Sequence, residues 1–285
     1  FGGIGCVSLG HANPQVALAL TEQLRNVWQV GNYFYVENRN ELARALSGFL
    51  STTTDEGGHC VGSTGTTWQT FFANSGAEAN EGAFKVARRW GEKKLNGASG
   101  ILTACKSFHG RTLATLAATG QEAFHQSFRP LPAGFAAVPF NDANALAAAL
   151  EHPSEQTGPV CAVLLECVQG EGGVWNADYD YLRAVRDLCD KNDVLLMVDE
   201  VQTGFFRCGS PFCYQRSGIE PDVVSMAKGI ADGFPMGAVF ARAEVADLMG
   251  PGDHGSTFGG NALACAAGRA TVGLLVSENM GEHVL

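Results

Sequence analysis

What this chain lacks narrows it first. It has no CxxC pair, and nine cysteines is an odd number, which argues against both a disulfide framework and a structural zinc site. Its seven histidines show no HExxH or other paired ligand spacing, so a metal centre is not expected. No lysine or arginine cluster interrupts a net charge of −10, which removes the footprint of a nucleic-acid binder and makes an anionic membrane surface a poor partner. The longest apolar runs, such as 160–168, fall far short of a membrane span, and no signal peptide opens the chain, so the reading is cytosolic. Neither a Walker P-loop nor a GxGxxG fingerprint occurs, which leaves nucleotide binding without support. Charged residues are few, 17% against 46% hydrophobic, the reverse of the signature of a disordered chain.

What is present fits a large core. A chain of 285 residues accommodates one big α/β domain, or one domain plus partial pieces, and its 36 glycines read as turns. The cysteines are expected as buried, reduced thiols, with Cys161 and Cys167 on one face of a strand. The chain opens at Phe1 in a turn-like FGGIG and stops at Leu285 beyond an unfinished helix; the expectation is a piece of a longer protein.

Helical spacing is read over 12–28, with Pro14 in the first turn, and over 38–50, with Leu42, Leu46 and Phe49 on one face. An aromatic loop, Gly31 to Tyr35, separates them. The polar stretch 51–65 reads as a loop, 66–73 as a strand, and Ser75-Gly76-Ala77-Glu78 as a capping box opening a helix to about Leu95, with Glu78 reaching back to Ser75. Strands are then read over 101–105, 160–168, 194–198 and 222–226, and helices over 141–150, 179–191 and from about Asn261. Strands alternating with helices argue for a predominantly parallel sheet covered on both faces, with the loops after several strands on one rim.

Two strand ends carry chemistry. The apolar run 194–198 stops at Asp199, and 222–226 delivers Lys228. An acid and an amine at the carboxyl ends of buried parallel strands lie where such folds bind ligands. The pair suggests Schiff-base catalysis, in which a lysine partly withdrawn from water becomes nucleophilic and a carboxylate holds a pyridinium nitrogen. Gly76 and Ala77 bring backbone amides and a positive helix end to the close of a strand, where a phosphate can be held; Ser256 and Thr257 offer a second such place.

Six segments carry a resemblance: NSGAEANEGAFKVAR (74–88), SFHGRT (107–112), ECVQGEGGV (166–174), DEVQTG (199–204), AKGIADGFPMGA (227–238) and HGSTFGGN (254–261). In this order they resemble the class III pyridoxal-phosphate aminotransferases over nearly the whole chain. The resemblance implies a fold type I transferase with a mostly parallel, seven-stranded mixed sheet. Residues 1–37 would belong to an N-terminal segment or small domain and 38–285 to the large cofactor-binding domain, the C-terminal small domain being absent. It implies pyridoxal 5'-phosphate as cofactor, joined to Lys228, which also moves the proton. Asp199 would hold the pyridinium, Gln202 would lie near the phenolic oxygen, and Phe108 would stack on the ring. Gly76, Ala77 and, from a neighbouring subunit of a homodimer, Thr257 would take the phosphate.

For substrates the resemblance implies Arg111 on the carboxylate, with Ser256, Tyr35 and Asn32 as further contacts. Glu171 would pair with an arginine of a C-terminal domain beyond this chain and release it for α-carboxylate substrates. The implied reaction moves the terminal amino group of N-acetylornithine to 2-oxoglutarate, a step of arginine biosynthesis. Ornithine, succinylornithine or 4-aminobutyrate as donor, an aminomutase, or a non-catalytic cofactor-binding protein are the alternatives. The sequence departs from the family pattern at Ala77, Cys167, Phe206 and Asp232, the last expected to add negative charge near Lys228.

Overall fold

The computed structural model describes residues 2–285. Helices α1 (Pro14–Leu24) and α2 (Glu37–Leu50) lead into a small hairpin, β1 (Thr52–Thr54) and β2 (Cys60–Ser63). Then follow β3 (Trp68–Ala73), α3 (Gly76–Lys94), β4 (Gly100–Ala104), α4 (Leu113–Ala118), β5 (Phe135–Val138), α5 (Ala143–Glu151) and β6 (Val160–Leu165). A second hairpin, β7 (Val168–Gln169) and β8 (Trp175–Asn176), precedes α6 (Tyr179–Lys191), β9 (Leu195–Asp199), β10 (Val223–Met226) and β11 (Gly237–Arg242). Helices α7 (Ala243–Ala246), α8 (Ala262–Ser277) and α9 (Met280–Val284) close the described chain.

The central sheet has seven strands in the order β3-β11-β10-β9-β6-β4-β5. The pairs from β10 to β5 are parallel, while β11 runs antiparallel to both β10 and β3, so the sheet is mixed, as expected. Because β11 reverses between two strands of like direction, β3, β4, β6, β9 and β10 all end on the same rim. The alternating side chains of each strand serve two cores. Leu196 and Val198 of β9 and Ala238 and Phe240 of β11 face α2, α6 and α8; Leu195, Met197, Val239 and Ala241 face Ala83, Phe84 and Ala87 of α3.

The structure corrects several readings. The stretch 51–65 holds the β1–β2 hairpin; its threonines and serines hid the strand pattern, since β2 is exposed throughout. The strand expected over 160–168 ends at Leu165, so Cys161 and Cys167 do not share one strand face. Four of the nine free cysteines are buried (Cys161, Cys167, Cys189 and Cys265), but Cys60 is exposed and the others lie between. Strands β5 and β11 and helix α4 are additional elements, too short or too alanine-rich to stand out by periodicity. No described helix is long and apolar enough to cross a membrane, and no metal-binding cluster occurs among the described residues.

Candidate active site

The rim where the strands end opens into a crevice of about 310 Å³, lined among others by Gly76, Ala77, Phe108, Asp199, Gln202 and Lys228. Each arrives by a local cause. Ser75 caps α3, its hydroxyl accepting from the Glu78 amide at 3.2 Å, and the first-turn amides of Gly76 and Ala77 have no intrahelical acceptor. Glu78 does not close the expected box on Ser75; its carboxylate accepts instead from the Asn74 amide (2.9 Å) and side chain (2.8 Å). The helix start sits directly on β11 because residue 237 is glycine: a Cβ there would come 2.3 Å from the Ser75 carbonyl oxygen.

Asp199 ends β9 at 4% exposure. Its Oδ2 accepts from Asn80 Nδ2 at 2.8 Å and meets His109 Nδ1 at 2.8 Å, while Oδ1 accepts from the Val201 amide at 3.0 Å. Burial pulls the His109 imidazole down, but its hydrogen bond and ion pair with Asp199, aided by Glu166, outweigh this and raise its pKa above the usual histidine value. His109 Nε2 has no partner. Asn80 also donates to the His109 carbonyl at 2.8 Å, so the two supports of Asp199 brace each other. Glu166, at the end of β6, accepts from the Phe108 amide at 3.0 Å, and burial pushes its carboxyl up to about 7. Neighbouring Glu200 is likewise raised to about 7 by burial and turns the other way, to Thr203 and the Tyr214 amide.

Lys228 follows β10 with a positive φ of 44°, a left-handed backbone that costs a side chain of order 1 kcal/mol. Its Nζ donates to Gln202 Oε1. Glu171 lines the crevice, its carboxylate accepting from Gln121 Nε2 at 2.5 Å. Arg111 is exposed and lies over the Phe108 ring, 5.3 Å from its centroid.

Four predicted site residues are not among those lining the crevice in this chain; Arg111 meets it only through the Phe108 ring. Thr257 is exposed, and Ser256 faces Asn74 and the Gly259 amide, 3.3 and 2.9 Å from its hydroxyl. Tyr35, 95% exposed, lines a separate cavity with Asn32 and Arg39. Two departures from the expected pattern have partners of their own. Asp232 Oδ1 accepts from the Leu9 amide at 2.9 Å and ties down the N-terminal segment. Phe206 packs edge-on against Phe49, ring centroids 6.0 Å apart, beneath α2. Sequence reasoning passed over His109, Asn80 and Glu166. They lie inside the matched segments, but their positions in the chain are too distant to suggest one network around Asp199.

A rim of strand ends carrying a buried acid, a lysine and a free helix start is the large-domain architecture of fold type I transferases. The Aminotransferase class-III profile matches residues 1–285, and the chain belongs to this family. It is 46% identical to an acetylornithine aminotransferase of Methanothermobacter thermautotrophicus over 99% of its own length and 66% of that protein. The chain thus spans just under two thirds of that curated relative. Among solved structures it is similar to the ornithine aminotransferase of Toxoplasma gondii (TM-score 0.87, 30% identity, 99% of this chain, 63% of that one). It is similar also to an acetylornithine aminotransferase of Elizabethkingia anophelis (TM-score 0.79, 31% identity, 99% and 65%).

Proposed function

We propose that the protein of which this chain is part is a pyridoxal-phosphate transaminase that moves the terminal amino group of N-acetylornithine to 2-oxoglutarate. The carrying observation is the crevice that holds both the Lys228–Gln202 contact and the braced Asp199 beside the open amides of α3. Those donors fit the cofactor: a buried carboxylate for a ring nitrogen, an amine for its aldehyde, and a helix start for its phosphate. Bound there, pyridoxal phosphate supplies an electron-withdrawing ring and carries the amino group between two substrates.

The chain's own residues would then do the following. Asp199, fixed by His109, Asn80 and the Val201 amide, presents a carboxylate that favours a protonated ring nitrogen. Gly76 and Ala77 donate to phosphate oxygens, and Phe108 covers one face of the ring. Lys228 Nζ, steadied by Gln202, would take the proton from the donor carbon and deliver it to the former aldehyde carbon of the cofactor. Arg111 offers paired N–H donors to a substrate carboxylate. Glu171 would answer to an arginine of a domain following residue 285, and exposed Thr257 to the phosphate site of a second copy in a homodimer. We carry the division at residue 37, arginine biosynthesis and a cytosolic location as parts of the same proposal; nine free thiols support a reducing compartment.

Relatives of both substrate names support two donors, N-acetylornithine and ornithine. Steady-state rates with these two, succinylornithine and 4-aminobutyrate decide between them. The proposal as a whole is tested by adding N-acetylornithine to the cofactor-loaded protein. Loss of absorbance at about 400 nm in one turnover supports it, as does absence of that band from Lys228→Ala. A band that persists in Lys228→Ala, or an unchanged parent spectrum with all four amines, would sink it.

A further inference from the structure

The turn after α4 holds two residues to which no role has been given. Its place is fixed at Gly120, which forms an isolated parallel bridge with Cys105 just beyond β4. The Gly120 carbonyl accepts from the Lys106 amide at 2.8 Å and its amide donates to Ser107 Oγ at 3.0 Å. A Cβ at 120 would come 2.1 Å from the Ala104 carbonyl oxygen, so only glycine lets the turn lie this close to the strand end. Further along, His125 Nε2 lies 2.8 Å from the Thr119 carbonyl, closing the turn upon itself.

From this fixed base the turn touches Glu171, which lines the crevice, and Arg111, which lies over the crevice residue Phe108. Phe124 lies under Arg111, whose guanidinium carbon is 4.2 Å from its ring centroid and 5.3 Å from that of Phe108. The two rings meet edge to face at 6.2 Å. Among the described residues this guanidinium makes no ion pair and no hydrogen bond, so two aromatic faces hold it and its N–H donors remain free. On the other side Gln121 Nε2 donates to Glu171 at 2.5 Å and to the Ser107 carbonyl at 3.1 Å, which pins the carboxylate to the turn.

We propose that the 120–124 turn sets specificity for the substrate carboxylate, Phe124 positioning Arg111 and Gln121 positioning Glu171. The inference rests on the reading of Arg111 as the contact to the substrate carboxylate, with Glu171 lining the same crevice. An arginine in water spreads over many rotamers; seated on two rings, its planar fork is preset for a carboxylate. Glu171 would repel the same carboxylate if it swung free, and the Gln121 amide keeps it in place. Phe124 and Gln121 act through these two groups and touch no reacting atom.

The test uses the full-length, cofactor-loaded protein and N-acetylnorvaline, which keeps the acyl group and carboxylate of N-acetylornithine but has no amine to react. Calorimetry should give about tenfold weaker binding to Phe124→Leu and binding within about twofold of the parent to Phe124→Tyr, whose ring still stacks. With Gln121→Ala, the preference in kcat/KM for N-acetylornithine over N-acetylputrescine, the same amine without a carboxylate, should fall at least about fivefold. Unchanged binding to Phe124→Leu, or an equal loss in Phe124→Tyr, overturns the role of Phe124; an unchanged preference overturns that of Gln121. A parent protein that binds N-acetylnorvaline no better than N-acetylputrescine overturns the carboxylate role of Arg111, and the inference falls with it.

Discussion

Replacing His109 by leucine removes one partner of a buried pair while nearly filling the same space. His109 Nδ1 and Asp199 Oδ2 are 2.8 Å apart, with side chains 0% and 4% exposed. Deleting one member of such a pair costs roughly 3–5 kcal/mol, because the other charge stays buried. Asn80 and the Val201 amide still donate to Asp199, so the lower end of that range is expected. The cost should depend on pH. The folded pKa of His109 lies above its ordinary 6.5, so its charge contributes stability that is complete below 6.5 and lost as pH rises through the folded value. The penalty of the substitution is therefore largest below pH 6.5 and declines, as pH rises through the raised folded value, towards the ~1 kcal/mol of a neutral hydrogen bond. Urea unfolding of parent and variant without added cofactor, followed by tryptophan fluorescence across that range, measures it. A difference under ~1 kcal/mol near pH 6, or one that does not change with pH, would refute the assignment of a charged His109–Asp199 pair.

Three further outcomes are expected. The Glu200 carboxyl is raised from 4.5 to about 7 by burial, so the fold holds an extra proton in that window and loses roughly 3 kcal/mol as pH rises through it. Glu200→Gln should flatten this decline, and a parent and variant with parallel stability profiles between pH 5 and 8 would contradict the reading. Gly237→Ala pushes a Cβ to 2.3 Å from the Ser75 carbonyl oxygen and should cost about 1–3 kcal/mol while weakening cofactor binding, since it displaces the start of α3; unaltered melting and cofactor affinity would argue against that close contact. Ser75→Ala removes the cap on the Glu78 amide and should lower stability by about 0.5–2 kcal/mol in thermal unfolding, with no loss if the hydroxyl were idle.

Much of the architecture was legible in the chain itself. The apolar run before Asp199, and the mostly apolar one before Lys228 with Ser225 its single polar residue, pointed to buried parallel strands, because a strand covered on both faces is chiefly apolar until it reaches the rim. Ser75 announced the start of α3, since a serine side chain satisfies an amide that the helix cannot. The β1–β2 hairpin escaped notice for the opposite reason: β2 is exposed throughout and β1 is three threonines, so neither carries an alternation to read.

The sequence by itself determined which chemistry was at hand: an acid and an amine at strand ends, small residues at a helix start, an arginine after Phe108. Only the tertiary structure decided how these act together. It put Asn80 and His109, from α3 and the loop after β4, on the one carboxylate of Asp199, and it tied Asp232 to the Leu9 amide. It also brought Gln121 and Phe124 against Glu171 and Arg111. These contacts depend on where the strand ends meet along a common rim. Periodicity and motif spacing describe each segment alone, whereas strand order and the reversal of β11 place the segments beside one another.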